Sequence, residues 1–144
     1  MEVIVSQQRE DFFKKELIEE LRRVEALVRQ EPSIEKKIYY FSAAYGITNR
    51  TFRYSFSKEV LMADLLLNGI YNMMMERLNL VKSGNNTVSI DPITFEIICD
   101  GLRDLADGFE SGTGIFESLQ TITAAGYSMT GPGNYLREKG DLKF

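Results

Sequence analysis

The sequence predicts an all-α protein, a bundle of five or six helices in an orthogonal or up-down arrangement around a central helix over residues 57–81. Three observations carry this. Only Pro32, Pro92 and Pro132 interrupt the 144 residues. Between them, apolar residues recur at three- and four-residue spacing, the period of a helix with one buried face. Capping residues stand where those patterns begin.

The first helix is expected from about Gln7 to Arg29. Leu17, Leu21, Val24 and Val28 form its apolar face, and Ser6 is placed to cap it. Pro32 breaks the chain, and Ser33 is the candidate N-cap of a second helix that carries Ile34, Ile38, Phe41 and Tyr45. Gly46 then offers the left-handed conformation that ends a helix. Thr48 is the candidate N-cap of a short third helix with Phe52 and Phe56 on one face.

From Ser57 to about Val81 the chain is apolar nearly all round, apart from Asp64, Asn68, Asn72 and Glu76, four residues apart. That stripe reads as a solvent seam, or as a hydrogen-bonded row against a neighbour. Lys82 to Asn86 is a loop, and Val88 and Ile90 fit a very short strand or an apolar staple. Asp91-Pro92 is a strong helix start. The helix it opens places Ile93, Ile97, Leu105 and Phe109 inward, with Glu96, Asp100, Asp104 and Asp107 outward. Ser111 to Gly114 ends it. A last helix follows through Ile115, Phe116, Leu119 and Ile122 to Gly126, and Thr130 onward reads as a loop.

The composition is 44% hydrophobic and 26% charged, that of a single globular domain over residues 1–144. The chain contains no histidine and one cysteine, Cys99. Serine–histidine triads, histidine bases, histidine-ligated metals and internal disulfides are therefore excluded. These absences point away from an enzyme and call for no cofactor. The N-terminus has no basic region before the short run Val3-Ile4-Val5, so no secretory signal is expected. No membrane span is expected either, and a reducing cytoplasm fits the lone thiol.

Charge is unevenly spread. The net charge is −4, yet Ser33–Lys58 holds Lys36, Lys37, Arg50, Arg53 and Lys58 against Glu35 alone, a local balance of +4. In that basic segment lies the layout of a helix-turn-helix: a helix, a short turn containing glycine, and a second helix. The second helix would direct Asn49, Arg50, Arg53 and Tyr54 outward, types that contact phosphates and bases, with Lys58 near the backbone.

The run from Ala44 to Leu61 resembles the DNA-binding segment of the tetracycline-repressor family. Gly46, Ile47, Thr48, Thr51, Phe52, Tyr54 and Phe56 fall in register, and Ser57, Lys58, Glu59 and Leu61 match after a one-residue deletion. Residues 20–61 carry the resemblance. It implies a transcriptional regulator that contacts double-stranded DNA through Thr48, Asn49, Arg50, Thr51, Arg53, Tyr54 and Lys58. It also implies that residues 62–144 form dimerisation and ligand helices, in a homodimer answering to an unknown small-molecule effector.

The residues leave an alternative open. Phe52, Phe56, Val60, Ala63, Leu67, Ile70 and Met74 keep helical spacing throughout, which allows one unbroken helix from Thr48 to Val81. The protein is then a non-enzymatic helical bundle acting through oligomerisation or a protein partner, without DNA binding. Glu16 and Glu19 have the spacing of half a carboxylate Mg²⁺ site, and the only Glu-x-x-Asp, Glu138 to Asp141, lies in the tail. Met62 and Met73–Met75 read as core filling, and Cys99 as inert core.

Overall fold

The computed structural model describes residues 2–54, 57–84 and 90–129. They form five helices: α1 (Glu2–Gln30), α2 (Ile34–Tyr54), α3 (Lys58–Lys82), α4 (Pro92–Ser111) and α5 (Ile115–Tyr127). No strand occurs among the described residues. The all-α class stands as expected. Phe56, Val88, the Thr130–Asn134 stretch and the Glu138–Asp141 pair lie outside the described residues, and Ile90 belongs to no strand.

Several predicted caps are formed. The Ser33 hydroxyl accepts from Lys36 N at 3.4 Å, and the Ser57 hydroxyl from Val60 N at 3.4 Å. The Asp91 carboxylate accepts from Ile93 N at 3.0 Å, with Pro92 in the first turn. Each satisfies a backbone N–H that has no partner within its helix. Gly112, at φ 82°, ends α4 in the left-handed conformation.

Other boundaries differ from expectation. α1 begins at Glu2, so Ser6 is an interior position rather than a cap. The larger correction is in α2, which runs without a break from Ile34 to Tyr54. Gly46 is not among the positive-φ glycines, and Thr48 does not cap a new helix. Its hydroxyl lies 2.8 Å from the Tyr45 carbonyl, and the Thr51 hydroxyl donates to the Ile47 carbonyl at 2.8 Å. These hydroxyls bond back along an existing helix. Phe41, Ala44, Thr48 and Thr51 keep one buried stripe across the glycine. That burial outweighs the cost of about 1 kcal/mol that an interior glycine imposes. The single helix from Thr48 to Val81 is equally absent: the chain breaks at Ser57, where α3 is capped.

The helices form a ring in the order α1, α2, α3, α5, α4, each packed on its two neighbours. Arg50 of α2 pairs with Glu16 of α1, and Lys37 Nζ reaches the Val28 carbonyl, so α1 and α2 are antiparallel. Lys82–Glu35 and Asp64–Thr48 set the same relation between α3 and α2. Arg29–Asp100 and Arg22–Asp107 set it between α1 and α4. α3 is thus one wall of the ring rather than a helix covered on all sides. Its outer face is open, with Leu65 62% exposed. Of its polar stripe, Asp64 is buried while Asn68, Asn72 and Glu76 face solvent.

The core is one cluster drawn from all five helices, including Leu17, Leu21, Val24 and Val28 of α1, as their spacing predicted. In α4 the inward face is Phe95, Ile98, Leu102, Leu105 and Phe109. Ile93 faces outward instead, because at helical spacing it lies on the side of α4 opposite Phe95 and Ile98. Ring closure depends on small residues. A Cβ added at Gly101 of α4 would meet Ile122 Cγ1 of α5 at 2.3 Å, and one at Gly126 of α5 would meet Ile70 Cγ2 of α3 at 3.0 Å.

Two glycine substitutions test this architecture in opposite directions. Gly101→Ala should lower unfolding free energy by about 1–3 kcal/mol in urea titrations, because α5 must move. Gly46→Ala should raise it by about 0.5–1 kcal/mol, since the added Cβ meets nothing within 4 Å and the residue is mid-helix. A destabilised Gly46→Ala variant would show that the chain turns at Gly46 after all.

Candidate functional site

The residues expected to contact DNA are dispersed by an unbroken α2. Thr48 and Thr51 are buried, at 0% and 2% exposure, and reach no external surface. Asn49 is half-buried and donates to Asp64 Oδ2 at 3.4 Å. Arg50, Arg53, Tyr54 and Lys58 face outward. Lys36 and Lys37 lie at the opposite end of α2, about 25 Å away at 1.5 Å rise per residue. The basic segment is therefore two separate groups, not one stripe.

Arg50 and Tyr54 enter a layered contact with α1 that sequence reasoning missed. The Tyr54 ring stacks on Phe13 with centroids 5.0 Å apart and planes 9° from parallel. The Arg9 guanidinium lies 5.6 Å from the Tyr54 centroid, and the Arg50 guanidinium 5.7 Å from that of Phe13. Arg50 also pairs with Glu16 at 2.9 Å. Cation–π and ring-stacking contacts of this kind hold the first half of α1 against the end of α2. Phe13 has Tyr54 on one side and Arg50 nearby, and Arg9 approaches Tyr54. The stack thus works as a brace between α1 and α2, with Tyr54 and Arg50 each about half exposed. Arg9, Phe12 and Phe13 are ordinary amphipathic-helix residues in the sequence. Nothing in local spacing announces that Arg9 and Phe13 meet Arg50 and Tyr54.

The carboxylates do not assemble a metal centre among the described residues. Glu16 is held by Arg50, and Glu19 lies 3.9 Å from Lys15. Asp100, Asp107 and Glu110 are spent on the α1–α4 seam, where Arg22 and Arg29 bridge to them at 2.6–2.9 Å. No described helix is long and apolar enough to cross a membrane.

Two of the concave surfaces among the described residues bear on function. One is a groove of about 430 Å³ between the outer sides of α3 and α5. It is lined by Met62, Leu66, Phe116, Gln120, Thr123 and Tyr127 among others, none of them charged. Phe116 is 57% exposed, and Leu65 on the outer face of α3 is 62% exposed. At the groove, the Thr123 hydroxyl is shielded from solvent and has no hydrogen-bond partner among the described residues. The parallel course of α3 and α5 follows from ring order, so this surface combines residues some fifty positions apart. The second surface is a cavity at the end of the bundle, built by residues of all five helices.

Comparison with protein-family models, characterised proteins and solved structures finds no significant match to this chain.

Cys99 is buried, and burial pushes its thiol up from the ordinary 9.0 to about 11, against the opposing pull of Arg29 and Lys37. The unfolded chain loses this proton first. Stability from the protonated native thiol is therefore full below pH 9 and is lost as pH rises towards 11. Wild type should lose up to about 2 kcal/mol more than Cys99→Val between those pH values in chemical denaturation. An identical pH profile in the two proteins would contradict the buried, protonated thiol.

Proposed function

We propose that the protein is a non-enzymatic helical module that acts by self-association, two copies pairing through their α3–α5 faces. The observation that carries this reading is the uncharged groove with Leu65 and Phe116 exposed beside it. On a chain of net charge −4, a second copy is repelled least where the surface bears no charge. A two-fold pairing needs a self-complementary patch, and one face of two adjacent helices supplies it. α3 is about 37 Å long and α5 about 20 Å, each about 10 Å across, so the face is of the same order as the roughly 800 Å² per partner of a specific dimer.

Regulation through double-stranded DNA finds less support, since the turn that would present a recognition helix is absent from α2 and Thr48 and Thr51 are inside. A free, protonated Cys99 fits a reducing, cytoplasmic setting.

Sedimentation velocity over about 1–200 µM should show a species near twice 16.5 kDa whose share grows with concentration. Leu65→Glu and Phe116→Glu should each leave the helical circular dichroism intact and shift the protein to monomer. Wild type that stays monomeric throughout rejects the reading. Retardation of duplex DNA at about 50 mM salt, abolished by Arg50→Ala with Arg53→Ala, would replace it with the DNA reading.

A further inference from the structure

We propose that the cavity at the open end of the bundle binds a small amphipathic cation, an ammonium group carried on an apolar body. All five helices converge there, at the end formed by the first half of α1, the last turn of α2, the first turns of α3 and α5 and the end of α4. They enclose about 400 Å³. That lies within the roughly 300–1,000 Å³ of small-molecule sites and far above the ~30 Å³ of one water.

The floor is mostly apolar, with Leu17 from α1, Val60 from α3, Phe109 from α4 and Ile115 from α5, and the Thr51 hydroxyl of α2 beside them is committed to the Ile47 carbonyl. The rim is acidic, with Glu10, Asp11 and Glu59 against Lys14 alone. Two of the three carboxylates already hold a donor within the chain. Asp11 accepts from Gln7 Nε2 at 3.0 Å, and Glu59 from the Ser57 hydroxyl at 2.8 Å. Glu59 also takes a bond from its own backbone, and together these keep its carboxyl below the usual range and so ionised. Glu10 and Lys14 lie one helical turn apart, yet no ion pair joins them among the described residues. Glu10 thus remains available to an incoming cation.

A bare metal ion does not fit, because the carboxylates of the described residues do not gather into a group that could hold one. An anion meets an excess of negative charge. An organic ammonium meets both halves of the site: its apolar body covers the floor, and its charge sits among the rim carboxylates, where half-solvated pairs still select sign.

The test uses the full chain with three matched probes: phenylbutylammonium, phenylbutanol and phenylbutanoate. Methyl NMR should show saturable shifts at Leu17, Val60 and Ile115 with the ammonium probe. Affinity should fall in the order ammonium, alcohol, carboxylate. Glu10→Gln and Glu59→Gln should each weaken the ammonium probe by roughly two- to fivefold, the range of exposed ion pairs, and leave the alcohol unchanged. Both side chains are at the surface, so circular dichroism should report an intact fold. The absence of saturable shifts up to about 10 mM ammonium probe would overturn the site. Equal affinity for all three probes, or shifts confined to the α3–α5 groove, would do the same. The cavity and the groove share no lining residue. Leu65→Glu should therefore still bind the probe, which separates failure of this site from failure of self-association.

Discussion

The close approach of α5 to both α3 and α4 is the contact on which the rest of the molecule depends. Gly126 lets the Ile70 side chain come within 3.0 Å of where a Cβ would stand, and Gly101 does the same for Ile122 at 2.3 Å. Without those small residues α5 would ride outward, and the ring would open between α3 and α4. The core would then lose cover over Leu67, Ile70 and Leu102, all at or near zero exposure. Because interiors are close-packed, an opening of this kind is not absorbed by slight adjustments elsewhere. The α3–α5 groove exists because the ring closes here, and the end cavity exists because five helix ends arrive at one level.

Charge is used in a different way from apolar surface. The seam between α1 and α4 is laced by Arg22 and Arg29, whose bridges to Asp107, Glu110 and Asp100 are half-exposed. Exposed pairs contribute little to stability individually, so these set the register of the two helices more than the depth of the fold. The same economy applies to the basic segment. Arg50 is engaged by Glu16 and Phe13, and Lys37 by the Val28 carbonyl. Arg50 and Lys37, read in one dimension as part of an external basic segment, brace neighbouring helices in three, while Arg53 and Lys58 face solvent.

Much of the fold was legible in the sequence because helical periodicity and capping are local. The four-residue rhythm from Leu17 to Val28 found the buried face of α1, and Ser33, Ser57, Asp91 and Gly112 marked real ends. The misreading at Gly46 has a clear cause. Glycine followed by a threonine is a good local signal for a stop and a restart, but Ala44, Thr48 and Thr51 bury a continuous stripe against α1 and α3. Tertiary burial there outweighs a local preference of about 1 kcal/mol. Ile93 was misplaced for another reason: the buried period of α4 runs through Phe95, Ile98 and Leu102, which leaves Ile93 on the opposite side of the helix.

The sequence by itself determined the helical class, most helix boundaries, the core face of α1 and the exclusion of histidine chemistry, all of which follow from residue type and short-range spacing. Only the tertiary structure decided the ring order, the parallel pairing of α3 with α5, the joining of Arg9 and Phe13 to Arg50 and Tyr54, and the two concave surfaces. Those features depend on which helix faces meet across long stretches of chain. Side-chain volume at a few glycines sets that choice, and no local pattern encodes it.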